Sequence, residues 1–443
     1  MPTSDDLLSE LKRLHPLLID LSLERIERLL AKLGNPHDRL PPTIHIAGTN
    51  GKGSTTAFLR AIFEAAGRRV HVYTSPNLVR FHERIQLARQ DGKARPIDDG
   101  HLVALLRQVE QVNAGDPMTF FEITTAAAFQ AFAETPADAA IIEVGLGGRL
   151  DATNVIKRPE VAIITPVSMD HADKLGDTVA KIAWEKAGIL KPGTRAIISQ
   201  QTQGVLDVIR VRAEAINVPL VVWGEHFDAF EQRGRLVFQR ADELLDLPKP
   251  ALLGRHQIVN AGTAVAAALE FNWLGLDERA IERGLLEAEW QARMQRLKAG
   301  PLAHLLRPGS ELWLDGGHNP AGGEALAQTL ADLEERSSKP LHLIVGMMGQ
   351  KDAAGFLGPF RGLAKHVVTV PIPGAHEAPH PPDGLAAIAR NLGFTSESAA
   401  EVTHAIRLVE AHDGAPKRIL ICGSLYLAGH VLALQEGVTQ QSN

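Results

Sequence analysis

The stretch His45-Ile46-Ala47-Gly48-Thr49-Asn50-Gly51-Lys52-Gly53-Ser54-Thr55 places glycines, a lysine and hydroxyls directly behind a short apolar run. Glycines let the backbone turn so tightly that successive N–H groups face one anionic centre, and a helix that follows adds the partial positive charge of its N-terminus. Lys52 supplies a mobile full charge for β- and γ-phosphates, and the hydroxyl of Ser54 or Thr55 can meet phosphate or Mg²⁺. The match to G-x-x-x-x-G-K-[ST] is not literal: Ile46 stands where the first glycine would be, and Gly53 separates Lys52 from Ser54. An ordinary strand–helix turn also uses glycine. The lysine and hydroxyls at the start of the helix favour phosphate binding over that plainer reading.

A second candidate is Glu143, which ends the apolar run 139–144. Parallel sheets bind ligands beyond the C-terminal ends of their strands. A carboxylate there either caps the local backbone or ligates a metal, and a phosphate loop on a neighbouring strand favours Mg²⁺. Lys186 lies in a helical stretch, 177–188, where a lysine by itself reads as a solvated charge. His171 by itself reads as a turn residue, because Mg²⁺ prefers oxygen to imidazole. Phe120 and Phe121 fit core packing as well as a ligand wall.

These residues need a scaffold. Leu23, Ile26, Leu29, Leu30 and Leu33 recur at helical spacing, with Ser22 as expected cap and Gly34 and Pro36 as stop. Strands are expected over 43–46, 69–73, 139–144 and 161–165, with a helix from the glycine loop to near Gly67. That alternation begins a parallel α/β sheet. Between 219 and 238 short strands with turn residues predict a small antiparallel appendage. Helical patterns return over 257–274 and 277–289. A second α/β series follows Gly300-Pro301, with strands at 312–315, 342–346, 366–370 and 418–422, and Asn319-Pro320 fits N-cap and first residue of a helix. The expected division is a domain over 1–298 and another over 299–443.

Composition bounds the rest. At 443 residues the chain has room for two to three domains of about 150 residues each. Apolar residues at 45% and charged residues at 22% are those of a folded globular protein, which excludes a disordered chain, a collagen-like fibre and a coiled coil. Lys and Arg total 46 against 52 Asp and Glu, a formal charge of −6, which argues against a nucleic-acid partner. A single cysteine, Cys422, excludes an internal disulfide framework and fits a reducing compartment. No apolar run approaches the ~18 residues of a membrane helix. The charged N-terminal stretch lacks the apolar centre of a secretory signal, so the expectation is a cytoplasmic protein without a membrane partner.

The phosphate loop is also where a family resemblance begins. Gly48-Thr49-Asn50-Gly51-Lys52-Gly53-Ser54 resembles the nucleotide loop of the Mur ligase superfamily, in its folylpolyglutamate synthase and dihydrofolate synthase branch. The resemblance extends along most of the chain, through Asp20-Leu21-Ser22-Leu23-Glu24-Arg25-Ile26, Thr74-Ser75-Pro76-Asn77-Leu78, Phe120-Phe121-Glu122 and Glu143-Val144-Gly145-Leu146-Gly147-Gly148-Arg149-Leu150-Asp151-Ala152. It continues through Asp170-His171, Glu185-Lys186-Ala187-Gly188, Arg293-Met294-Gln295, Asp315-Gly316-Gly317-His318-Asn319-Pro320 and Gly423-Ser424-Leu425-Tyr426. It implies a phosphate-loop parallel-sheet domain followed by a smaller Rossmann-like α/β domain. It also implies ATP-dependent ligation of L-glutamate to dihydropteroate and to the tail of reduced folates through an acyl phosphate.

By the same resemblance Asn50, Gly51, Lys52, Gly53, Ser54, Asn260, Arg293 and Asp315 bind ATP. Ser75, Glu143 and His171 hold Mg²⁺, with two ions expected. Lys52, Lys186 and His318 are the catalytic positions, and Lys186 is a candidate for carbamylation. The pterin substrate is expected at Asp20, Leu21, Ser22, Phe120, Phe121, Glu122, Leu150, Asp151 and Ala152, with Asp151 either accepting from the pterin or serving as a turn carboxylate. The resemblance further implies small-molecule substrates and a monomer. Ala292 stands where relatives usually carry glycine, and Gly317 where they often carry alanine. Rival readings are a cell-wall Mur ligase, a folate-only polyglutamylase, and a phosphate-loop NTPase or kinase that ignores glutamate. Gly53 and the segments 20–26 and 120–122 favour the folate branch.

Overall fold

The computed structural model describes residues 3–15, 21–241, 243–271, 276–375 and 377–441, and the chain divides into two compact units. The first runs through Ser75, from His82 to Ala251, and from Gln257 to Glu289. The second comprises Pro76–Phe81, Leu252–His256 and the chain from Trp290 onward. The main crossing thus falls at Glu289 and Trp290, before residue 298. Gln295 and Arg296 already pair as a strand with Leu314 and Trp313 of the second unit, which is why the boundary comes earlier than Gly300-Pro301.

The first unit is built on β1 (Thr43–Ala47), β2 (Val70–Tyr73), β3 (Ile85–Ala88), β4 (Ala94–Pro96), β5 (Ala139–Glu143), β6 (Val161–Ile164), β7 (Arg195–Ile198) and β8 (Leu220–Val222). They form an eight-stranded sheet in the order β4-β3-β2-β5-β1-β6-β7-β8. β2, β5, β1, β6, β7 and β8 run parallel, and β3 and β4 form an antiparallel edge. Every residue of β1, β2, β5 and β6 is buried, as expected where helices cover both faces of a parallel sheet. From β1 the chain travels outward to β4, returns to β5 beside β1, then crosses to β6 on the other side. β1 is therefore the switch point of the sheet, and ligands bind at the carboxyl ends of strands at such a point.

The antiparallel appendage lies further on than expected. Residues 220–222 belong to the main sheet, and β9 (Asp228–Gln232), β10 (Arg235–Arg240) and β11 (Glu243–Pro248) make the separate three-stranded meander. An apolar Leu-Val-Val run at a sheet edge is locally indistinguishable from a hairpin strand. The helix after Ser22 spans Glu24–Lys32 with Leu23 at its N-cap and no side-chain cap. Ser22 does not cap it, because its hydroxyl donates to Glu24 Oε2 at 2.5 Å instead. The helix expected to 274 is described over His256–Glu270, and residues 272–275 lie outside the described residues.

The second unit carries β12 (Gln295–Arg296), β13 (Glu311–Leu314), β14 (Leu341–Val345), β15 (Ala364–Thr369), β16 (Thr395–Ser398) and β17 (Arg418–Cys422), in the order β12-β13-β17-β14-β15-β16. All but β12 are parallel to their neighbours. β16, Thr-Ser-Glu-Ser, has no apolar signal. It exists because the open edge of β15 offers it a ladder. One core face gathers Leu312, Leu314, Ile344, Val368, Ile419 and Ile421, and the other gathers Leu343, Val345, Val367 and Leu420. Pro320–Arg336 is a helix whose N-cap Asn319 accepts from the Gly322 amide, as the sequence predicts.

Candidate active site

The loop after β1 has the shape its sequence requires. Gly48 and Gly51 have φ of +154° and +88°, and a Cβ on either would run into Thr165 or the Asn260 amide. Only glycine fits at these two turns. The chain after β6 braces the loop: Thr49 and Asn50 amides donate to the Pro166 carbonyl, and the Thr49 hydroxyl donates to Ser168 O. The Asn50 amide group reaches Ser168 Oγ at 3.4 Å. The helix Lys52–Ala65 starts at the lysine itself, with Gly53, Ser54 and Thr55 in its first turn. Lys52 Nζ donates to the carbonyls of Gly48 at 3.0 Å and Thr49 at 3.4 Å, and stands 3.9 Å from Glu143 Oε1.

Lys186 is not a solvated charge. It is 4% exposed, and its Nζ donates to the Gly48 carbonyl at 2.9 Å, beneath the phosphate loop. Burial, and then the Lys52 charge, push its ammonium down to about 7, with Asp170 and Asp151 opposing. Two lysines, from different helices, thus converge on one carbonyl of the loop. Asn260 stands beside the loop: it is buried, lies against Gly51, and donates to Gln257 Oε1 at 3.0 Å.

Glu143 ends β5 opposite Ile46 and is buried at the loop. Ser75 follows β2 two residues past its end, and His171 precedes the short helix Ala172–Leu175 with φ +49°. Among the described residues no three His, Cys, Asp or Glu side chains stand together as a metal cage. The expected donor set draws one oxygen from a hydroxyl, so its chemistry rests on Glu143 and Ser75, both of the oxygen type that Mg²⁺ prefers. His171 is the poorest fit of the three.

Of the expected pterin residues, Asp20 lies outside the described residues. Leu21 packs with Leu146 against the core around β6 and β7. The Phe121 ring and Asp151 flank Gly145, where a Cβ would strike both, and Phe121 tilts against Tyr73 at 6.3 Å. Phe120 sits under Lys12, whose Nζ is 5.2 Å from the ring centroid. Leu150 is half-buried and Ala152 is buried.

Two carboxylates in this group do structural work. Glu122 forms a capping box with Thr119 and pairs with Arg25, whose Nε lies 3.1 Å from both of its oxygens. Asp151 caps the turn Ala152–Val155, accepting from Thr153 N at 3.0 Å and from the Thr153 hydroxyl at 2.5 Å, while its second oxygen accepts from Leu146 N at 2.8 Å. Burial raises its carboxyl against the pull of these donors. The turn reading of Asp151 is the one its hydrogen bonds support.

In the second unit Asp315 follows β13 and is buried. Its oxygens accept from Met294 N and Gly317 N, each at 2.7 Å. It therefore fixes the turn that carries Arg293. That turn is unusual in holding Ala292 at φ +54° and Met294 at +41°, conformations in which glycine is favoured. His318 Nδ1 lies 2.9 Å from the Gly316 carbonyl. Since a carbonyl only accepts, Nδ1 carries the proton in this hydrogen bond.

Sequence reasoning missed Thr165, Pro166, Ser168 and Gln201, which shape the phosphate loop from β6 and β7. Gln201 Nε2 donates to Thr165 O at 3.0 Å while its Oε1 accepts from Val167 N. Their only signal was position, just past the ends of strands adjacent to β1.

Comparison with known proteins identifies the family. Residues 46–268 match the Mur ligase middle domain, and residues 293–425 match the Mur ligase glutamate ligase domain. The dihydrofolate synthase/folylpolyglutamate synthase of Mycobacterium tuberculosis is 37% identical over 404 residues, covering 83% of this chain and 79% of that protein. The structure of E. coli FolC in complex with DHPP and ADP superposes with a TM-score of 0.85 at 30% identity, covering 97% of each chain. The bifunctional enzyme of Yersinia pestis, complexed with AMPPNP and Mn ion, gives 0.82 at 31% identity and 96% coverage of each chain.

Proposed function

This chain belongs to the Mur ligase family, in its dihydrofolate synthase and folylpolyglutamate synthase branch, and we propose how its own residues carry out that branch's reaction. It is an ADP-forming ligase that joins L-glutamate to dihydropteroate and to the glutamate tail of reduced folates. The observation that carries the residue assignment is the convergence of Lys52, Lys186 and Glu143 on the loop after β1.

A carboxylate is a poor acylating agent at neutral pH. Its oxygen therefore takes the γ-phosphoryl group of ATP, and ADP leaves. The glutamate amine then attacks the acyl-phosphate carbonyl, phosphate departs, and the nitrogen sheds a proton. Phosphoryl transfer needs positioning and charge neutralisation more than a strong base. Lys52 exchanges its carbonyl partners for the phosphates, while the loop amides and Ser54 hold them. Asn260 sets the loop beside the nucleotide, and Arg293, on the turn that Asp315 fixes, is a further nucleotide-binding residue. His318 Nε2 takes the proton from the glutamate ammonium.

Ser75, Glu143 and His171 would hold Mg²⁺, which supplies charge neutralisation on the phosphates when bound. The near-neutral amine of Lys186 is the form that adds CO₂. We assign it as the carbamylation site that would serve a second ion. Phe121 and Leu21 form the apolar wall of the pterin site. The single cysteine, Cys422, fits a reducing, cytoplasmic compartment, and the acidic charge balance fits small-molecule partners; a monomer is what the family resemblance implies. Among the described residues no helix is long and apolar enough to cross a membrane.

The test offers ATP, glutamate and a panel of pteroates and reduced folates, and identifies products by mass, with aspartate as control. Glutamate-dependent products from both substrate classes are expected. Products from reduced folates alone would make the chain a folate-only polyglutamylase, and ATP turnover indifferent to glutamate would refute the ligase assignment.

A further inference from the structure

Away from the residues assigned above, the second unit holds three histidines on three different elements. His342 on β14 and His366 on β15 are direct cross-strand partners, and both are buried, at 1% and 2% exposure. His412, exposed, caps the C-terminal end of the helix Val402–Ala411. The ring centroids are 6.0 Å apart for His342–His366, 6.0 Å for His342–His412 and 5.3 Å for His366–His412. Both ring nitrogens of His342 and Nδ1 of His366 lack a hydrogen-bond partner. Glu397 on the edge strand β16 places Oε1 3.3 Å from His366 Nε2.

We propose that His342, His366 and His412, with Glu397 at the rim, form a binding site for a divalent transition cation of the zinc class. Buried polar atoms without partners are rare and call for an explanation. A cation would satisfy these. With Zn–N bonds of about 2.0–2.1 Å, imidazoles sharing one tetrahedral ion have ring centroids roughly 5 Å apart, so the observed spacings need only small shifts. Among the described residues no three His, Cys, Asp or Glu side chains already stand as a metal site, so the rings must turn onto the ion. Three imidazoles and a carboxylate suit zinc far better than magnesium.

The surrounding charges permit this. Burial lowers His342 to about 4 and also lowers His366, so both rings are neutral at pH 7, as ligands must be. Lys417 is the nearby cation, and its charge is offset by Asp413 Oδ1 at 2.9 Å and by the carbonyls of Asp413 and Ala415. His342 and His366 lie in the first halves of their strands, whereas Asp315 follows the end of β13. Within this unit the cluster therefore belongs to the opposite end of the sheet from the Asp315 loop.

The test titrates the chelator-stripped full chain with Co²⁺ in excess Mg²⁺, reads the visible absorption, and then displaces the ion with Zn²⁺. One Co²⁺ per chain with the intense bands of a tetrahedral site is expected. His412→Ala, at an exposed position that leaves the strands intact, should weaken Co²⁺ and Zn²⁺ at least tenfold while ligase activity and circular dichroism stay unchanged. Absence of tetrahedral bands, or the same affinity in His412→Ala, would overturn the proposal.

Discussion

Lys52 donates to the carbonyls of Gly48 and Thr49, so its ammonium is held within the loop it serves. Because it occupies the first residue of a helix, its truncation spares the fold. Lys52→Ala should lower ligation by at least ~100-fold, the scale of losing one preorganised electrostatic contact, with unchanged circular dichroism; near-normal turnover would sink the assignment. Lys186 makes a different prediction. Its ammonium falls from 10.5 when exposed to about 7 when buried, so between those values the unfolded chain binds more protons than the folded one. Stability must therefore rise with pH across that window, and the burial penalty is present in full below it. In CO₂-free buffer, Lys186→Met should flatten the rise in urea midpoint between neutral pH and about pH 9. An unchanged slope would mean that Lys186 is not the titrating group.

At the scale of elements, the segment from Gly145 to Val155 is held by one carboxylate. Asp151 ties the Leu146 amide to the start of the turn Ala152–Val155, and Thr153 extends the tie to His45 Nε2 on β1 at 2.8 Å. Asp151→Ala leaves these donors buried without an acceptor, at a cost of ~1–3 kcal/mol. A lower melting temperature and an equal fall in both glutamate ligations are expected. Selective loss of the dihydropteroate reaction would instead restore Asp151 as a pterin contact. The turn at Ala292 shows how an element can tolerate a residue its backbone disfavours: φ of +54° opposes alanine, but the methyl is fully buried among Leu312, Leu314 and their neighbours.

At the scale of the molecule, the second unit takes two short segments from within the first. Leu78 O accepts from Gln440, the Phe81 amide donates to Gln441, and Arg255 pairs with Asp332, all within that unit. A fragment ending at residue 298 would carry Pro76–Phe81 and Leu252–His256 without the sheet they belong to. It should show no glutamate ligation and a stronger tendency to aggregate than the full chain, measured by product mass and light scattering. Ligation by the fragment would refute the need for Asp315 and His318.

The sequence by itself determined what short-range physics controls. The apolar runs before Gly48, after Ala139 and after Val161 have the length and flanks of buried parallel strands. Glycine, lysine and hydroxyl spacing specified a phosphate loop, and Asn319-Pro320 specified a helix start. Tertiary structure alone decided which distant groups meet. Lys186 looked like a surface charge until its helix was laid beneath Gly48, and the pairing of Glu122 with Arg25 appears only when another helix arrives beside it. Asp151 could have faced a substrate until its own loop closed on it. His342, His366 and His412 share no motif, because strand pairing and a helix end bring them together. Local patterns fix the conformation of a few neighbouring residues, whereas burial and charge partners depend on crossings between segments far apart in the chain.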